Sequence, residues 1–192
     1  MIAIINYSAG NVKSVLNALE ALGYEAKVTD DVSEIKAATK VIFPGVGEAK
    51  SAMKSLKEKG LDSVIPNLKQ PFLGICLGLQ LLCKYSEEGS TTCLGVYECN
   101  VKRFPTNGII PHMGWNNIEI IKSQIIDQEI KSQDFYFVHS YYASICASTS
   151  ATCEYILPFS AVLEKDNFYA TQFHPEKSGD IGFKVLQNFL EL

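Results

Sequence analysis

Three residues in this sequence have the types and settings to do chemistry together: Cys76, His174 and Glu176. Cys76 sits in the stretch 70–82, Gln-Pro-Phe-Leu-Gly-Ile-Cys-Leu-Gly-Leu-Gln-Leu-Leu. A short apolar run meets Gly74, and the spacing then becomes helical. One residue separates the cysteine from each of Gly74 and Gly78. That is the spacing of a nucleophile elbow, in which a strand turns sharply into a helix with the reactive atom at the tip. Glycines suit it because the turn crowds neighbouring backbone. The positive end of the new helix favours a thiolate, the nucleophilic form of the thiol.

A thiol nucleophile needs a base, and the base needs an orienting acceptor. Phe173-His174-Pro175-Glu176 supplies both. On an extended segment His174 and Glu176 point to the same side, and Pro175 restricts the backbone between them. A carboxylate on one ring nitrogen sets the tautomer and leaves the other nitrogen to take the cysteine proton. Taken alone, the same four residues also read as a plain surface turn. Acyl transfer requires donors for a developing oxyanion as well. The N–H of Leu77 is one, and the turn Pro44-Gly45-Val46-Gly47 offers another at Gly45 and Val46. That turn equally reads as an ordinary strand-to-helix loop.

The elements that must position these groups follow from hydrophobic periodicity. Residues 2–6, 25–29 and 41–43 read as strands, and a fourth delivers Cys76. Residues 8–11, Ser-Ala-Gly-Asn, form a turn opening a helix on Val12, Val15, Leu16, Leu19 and Leu22, which Gly23 stops. A loop with a short helix fills 30–38, a helix runs over 48–59, and another short one reaches Val64. Such alternation predicts an α/β fold with a mostly parallel central sheet flanked by helices. Ligands bind beyond the carboxyl ends of such strands, where 44–47 and Cys76 both lie. The second half predicts strands at 96–103, 116–121, 135–144, 153–155, 161–165 and 169–173, an added antiparallel region. Turns are expected at 105–108, at 113–116 and at Asp166-Asn167, and a closing helix at 180–190. Without repeat or linker, 1–192 reads as a single domain.

Composition narrows the classes. A net charge of −4 argues against nucleic acid as a partner. No apolar run approaches the ~20 residues of a membrane span, and the first residues read as a buried strand rather than a leader, so a cytoplasmic protein is expected. The six cysteines contain no Cys-x-x-Cys pair, and the three histidines complete no zinc pattern. Five of the six cysteines are expected to be small buried or half-buried apolar residues. No metal or cofactor is implied.

Gly74-Ile-Cys-Leu-Gly78 with Gln80, followed far downstream by Phe173-His-Pro-Glu176, resembles the class I glutamine amidotransferases. Asn6-Tyr-Ser-Ala-Gly-Asn11, Pro44-Gly-Val-Gly47, Met113-Gly-Trp-Asn116, Phe137-Val-His-Ser-Tyr141 and Gln172-Phe-His-Pro-Glu-Lys-Ser178 resemble the glutaminase subunits of imidazole glycerol phosphate synthase in particular. The resemblance implies a flavodoxin-like α/β fold and a Cys-His-Glu triad that hydrolyses L-glutamine to glutamate and ammonia. Cys76 would be the nucleophile, His174 the general base and then acid, and Glu176 its orienter. Gln80 would hold the amino-acid end of the substrate with backbone near Ser140 and Tyr141, and the loop near Glu98 would shape the pocket. A (β/α)8-barrel cyclase subunit, joined as a heterodimer, would receive the ammonia and make imidazole glycerol phosphate in histidine biosynthesis. Trp115, placed in a loop, Tyr136 and Lys177 would lie near that interface. Reorientation of the Gly45–Val46 peptide would couple the two subunits.

Two other readings stay open on sequence. One is a paralogous glutaminase that feeds a different synthase, such as one amidinating a surface sugar. The other is a flavodoxin-like binding module with an inert cysteine.

Overall fold

The fold is seen in a computed structural model, which describes residues 1–7, 11–127, 130 and 133–192. The expected turn at Ser8-Ala9-Gly10 lies outside the described residues. The first half of the chain runs β1 (Ile2–Ile5), α1 (Val12–Ala21), β2 (Ala26–Thr29), α2 (Val32–Ala37), β3 (Lys40–Gly45), α3 (Ala49–Glu58), α4 (Leu61–Val64), β4 (Phe72–Cys76) and α5 (Leu77–Leu82). The alternation expected from the sequence is therefore present element for element.

The second half holds β5 (Tyr85–Ser86), β6 (Thr91–Thr92), β7 (Asn100–Arg103), β8 (His112–Asn117), β9 (Glu119–Ile120), β10 (Asp134–His139), β11 (Tyr141–Ala143), β12 (Thr149–Glu154), β13 (Pro158–Lys165), β14 (Phe168–Thr171) and α6 (Gly179–Glu191). The large sheet has the order β2-β1-β3-β4-β14-β13-β12-β9. Its first five strands are mutually parallel, and β13, β12 and β9 extend it antiparallel. Two smaller sheets pack beside it: the ribbon β10-β8 and the four-stranded β11-β7-β5-β6.

Inside the edge strand β2, the parallel strands are buried on both faces because both faces are covered. Ala3 and Ile5 of β1, with Val41 and Phe43 of β3, join Leu56 of α3 and Leu79 of α5 in one core. Ile2, Ile4 and Ile42 point the other way, toward Val15 and Leu19 of α1 and Val185 and Leu186 of α6. The period-2 side-chain alternation of a strand thus divides the interior into two layers.

Three local expectations are corrected. Residues 113–116 are not a turn but lie within β8, so Trp115 is a strand residue. Their glycine and asparagine disguise a ribbon whose pairing with β10 supplies the order that propensity lacks. The expected strand 135–144 is two strands, β10 and β11, in different sheets, divided at Ser140. The strand expected at 153–155 begins earlier, at Thr149.

Candidate active site

Cys76 ends β4 and immediately precedes α5, with φ 54° and ψ −104°. A non-glycine residue at positive φ is strained, and the neighbours must hold it there. The flanking glycines permit the close packing that does so. A Cβ on Gly78 would come within 2.0 Å of the Phe43 carbonyl oxygen, and one on Gly74 within 2.8 Å of Leu82 Cδ1. The helix consequently sits directly against β3 and β4. The next strand along, Gly45 at the end of β3, pairs in register with Cys76. α5 is only six residues long, so its dipole is a minor influence on the thiol.

His174 arrives from the neighbouring side, because β14 lies parallel and adjacent to β4. The segment after it is not extended as expected: Pro175–Lys177 form a 3-10 turn. That turn folds Glu176 back, so its Oε1 accepts from His174 Nδ1 at 2.7 Å, with both side chains fully buried. Nδ1 therefore carries the proton facing the carboxylate. His174 Nε2 has no hydrogen-bond partner in the protein, which leaves it available to a reacting group. Burial alone would keep this imidazole neutral. The Cys76 sulfur and the Glu176 carboxylate together outweigh burial and push His174 up to about 10.

Cys76 opens onto a cavity of about 290 Å³, bordered also by Val46, Leu77, Gln80, Ser140 and Tyr141. The sequence-derived substrate residues and two of the oxyanion candidates thus share one space with the thiol. Gln80 is buried, and its Nε2 donates to the Tyr141 carbonyl at 2.8 Å and to Gln172 Oε1 at 3.1 Å. Both N–H groups of that amide are engaged by the protein, so only its Oε1 is left to meet a ligand. A ligand ammonium suits that acceptor; a carboxylate does not.

On the outside, Trp115 of β8 and Tyr136 of β10 meet edge to face, ring centroids 5.9 Å apart. Trp115 is 57% exposed and Met113 63%. The same ribbon is bonded to the loop that carries His174 and Glu176, since His174 N–H donates to the Tyr136 carbonyl at 2.9 Å and Tyr136 N–H to Ser178 Oγ at 3.0 Å. Lys177 is exposed beside it.

Four contributors escaped the sequence reading. Gln172 Nε2 lies 3.6 Å from Cys76 Sγ, a donor to the sulfur. Its place near the end of the expected strand 169–173, two residues before His174, was a usable signal. Asn11 Nδ2 donates to Glu176 Oε1 instead of capping α1. Glu88 borders the cavity and accepts from Ala49 N–H at 2.7 Å, while burial raises its carboxyl above the usual range. No local pattern marks it. His139 also borders the cavity. Glu98, by contrast, is on the surface beside Lys84 at 3.3 Å and does not border the cavity. The five other cysteines are free thiols, buried or half-buried, as expected.

The family model "Glutamine amidotransferase class-I" matches residues 3–192. The imidazole glycerol phosphate synthase subunit HisH of Bacteroides fragilis is 55% identical over 100% of this chain and 99% of its own length. The protein of the same name from Pasteurella multocida is 46% identical over 99% of this chain and 97% of its own. A crystal structure of a glutamine amidotransferase superposes with a TM-score of 0.78 at 22% identity, covering 100% of this chain and 98% of that one, which speaks to the fold. With a cysteine elbow, a buried His-Glu pair and a family match along nearly its whole length, the chain belongs to the class-I glutamine amidotransferases.

Proposed function

We propose that this chain is the glutaminase subunit of an imidazole glycerol phosphate synthase, a single domain spanning 1–192 and working in the cytoplasm. The observation that carries the reading is the buried His174–Glu176 pair beside a strained Cys76 on a glycine-flanked elbow. The names borne by relatives 46–55% identical support the pathway.

In the proposed mechanism Cys76 Sγ attacks the carboxamide carbon of L-glutamine. His174 Nε2 takes the thiol proton and delivers it to the departing amine, releasing ammonia and leaving a γ-glutamyl thioester. Water attacks that thioester with His174 again as base, and glutamate leaves. Glu176, steadied by Asn11, holds the imidazole and favours its cationic form. The Leu77 N–H and the Gly45–Val46 peptide are the oxyanion donors, and Gln172 adds a donor to the sulfur. Gln80 Oε1 and the Glu88 carboxylate receive the substrate ammonium, with Ser140 and Tyr141 closing that end.

Free ammonia protonates in water and is lost, so a sealed junction with an acceptor enzyme is the physical reason for a partner. The ribbon with exposed Met113 and Trp115 and half-buried Tyr136, together with Lys177, suits the surface of a (β/α)8-barrel cyclase as a heterodimer. That cyclase would use the ammonia to make imidazole glycerol phosphate and the aminoimidazole carboxamide ribonucleotide.

A glutamine-analogue electrophile tests the reading. Cys76 is expected to be labelled stoichiometrically when the histidine-pathway cyclase and its nucleotide ligand are present, with Cys76→Ala unlabelled. An unmodified Cys76 under those conditions would sink the catalytic assignment. Labelling stimulated instead by a different synthase would favour the paralogous role.

A further inference from the structure

The two histidines outside the triad, His112 and His139, are both buried. Their hydrogen bonds admit one protonation pattern. The Tyr141 carbonyl can only accept, so His139 Nδ1, 2.8 Å away, carries a proton. In a neutral ring His139 Nε2 is then an acceptor, and His112 Nδ1, at 3.1 Å, must donate to it. His112 Nε2 is left to accept from Asn116 Nδ2 at 3.4 Å. The Asn116 amide is itself oriented, donating to the Glu154 carbonyl at 3.0 Å and accepting from Asn117 N–H at 2.9 Å. A second proton on either ring would set two donors face to face. Burial opposes that proton as well, pushing His112 down to about 4 and His139 down to about 3.

At its inner end the chain of bonds reaches the cavity. The Tyr141 carbonyl that receives His139 also receives Gln80 Nε2, so both of its lone pairs are used. The chain changes sheets at Ser140, and this carbonyl follows directly. Aromatic rings surround the pair, including Tyr155 stacked on His112 at 4.0 Å and Phe104 and Phe159 against His139. Phenylalanine would fill those spaces equally well. What it could not do is donate to Tyr141.

We propose that the His112–His139 pair is a positioning unit that fixes the Tyr141 carbonyl and, through it, the Gln80 amide, so that Gln80 presents an acceptor to the amino-acid end of glutamine. This rests on the glutaminase reading. Neither ring exchanges a proton with substrate; their work is on binding rather than on the chemical step.

The test compares wild type, His139→Leu and His139→Asn in glutamine hydrolysis with the cyclase subunit and its ligand present. Leucine fills the space without a donor, whereas asparagine places an N–H near the position of Nδ1. His139→Leu is expected to raise KM for glutamine roughly 3- to 10-fold with kcat within about 2-fold, the scale of one lost hydrogen bond. His139→Asn is expected to recover most of that loss. A folded leucine variant with unchanged KM, or an asparagine variant as impaired as leucine, would overturn the positioning role. If His139→Leu does not fold, His112→Phe serves instead: it frees the tautomer of His139, and a KM rise is expected where an unchanged KM would overturn the proposal. A wild-type chain that hydrolyses no glutamine overturns the glutaminase reading and this role with it. Hydrolysis indifferent to all three substitutions overturns the role alone.

Discussion

The Tyr7 hydroxyl donates a 2.9 Å hydrogen bond to the Pro44 carbonyl from a fully buried position. Its oxygen occupies the space beneath Gly45, where a Cβ would approach it to 2.1 Å. Burial and the nearby Cys76 raise Tyr7 far above the ordinary phenol range, so it stays a donor. The peptide before Gly45 is therefore pinned. Val46 and Gly47 beyond it border a second cavity of about 170 Å³. Tyr7→Phe keeps the ring and removes the pin. It is expected to cost about 1–2 kcal/mol and to lower the melting temperature by roughly 2–8 °C, with a weaker glutaminase response to the partner. Melting curves of the two proteins check this, and coincident curves would count against it.

His174→Asn removes the proposed base. Glutamine-dependent synthesis is expected to fall by at least about 100-fold, while synthesis from added ammonium salts persists at the wild-type rate. Loss of both activities would indicate damaged assembly instead.

The pH dependence of stability has two limbs of opposite cause. His174 is raised to about 10 in the fold, so its contribution is full below its unfolded value of ~6.5 and is lost as pH rises through about 10. His139 and His112 are lowered to about 3 and about 4. Their contribution is full above ~6.5 and fades as pH falls toward those values, with a slope of up to ~1.4 kcal/mol per pH unit for His139. Tyr155 and His174 are the titratable groups that bear on this pair from neighbouring elements. Urea unfolding from pH 4.5 to 7 should show stability rising with pH, and His112→Phe should flatten that limb. An unchanged limb would assign acid sensitivity elsewhere.

Gly78→Ala drives a methyl into the Phe43 carbonyl, a backbone atom that cannot rotate away. It is expected to cost at least about 3 kcal/mol. Gly60→Ala meets nothing within 4 Å and pays only for its φ of +67°, about 1 kcal/mol. Equal stability losses in chemical denaturation would refute the packing account of the elbow glycine.

Trp115→Ala should leave the melting temperature nearly unchanged, since the ring is mostly exposed. Affinity for the cyclase subunit should fall by roughly 10- to 100-fold. Calorimetric titration measures it, and an unaltered affinity would move the junction to another face.

The parallel half was legible because periodicity and burial agree there: each buried strand is a short apolar run, and each helix repeats at 3.6. Cys76, His174 and Glu176 were legible because their chemistry demands particular residue types in particular settings, and Gln80 only through the family resemblance. In the ribbon β8–β10, β10 was legible within the expected strand 135–144, but the first part of β8 was not, since Gly114 and Asn116 carry turn propensity that pairing overrides. Glu88, Asn11 and the His112–His139 chain were hidden for a different reason. Their partners lie 27 to 165 positions away, apart from local contacts, and no local pattern encodes a tertiary hydrogen bond.

The adjacency of β4 and β14 has a consequence for synthesis of the protein. During translation the nucleophile strand emerges long before its neighbour, because 91 residues separate Cys76 from Phe168 in sequence. Until that neighbour docks, Phe72, Leu73 and Ile75 lie along an open sheet edge, a template for association with other nascent chains. His174, the proposed base, follows β14 directly, so closing that edge and completing the proposed triad are the same event. On the proposed mechanism an unfinished chain consequently has a thiol with no base, and ammonia release waits on the fold being whole.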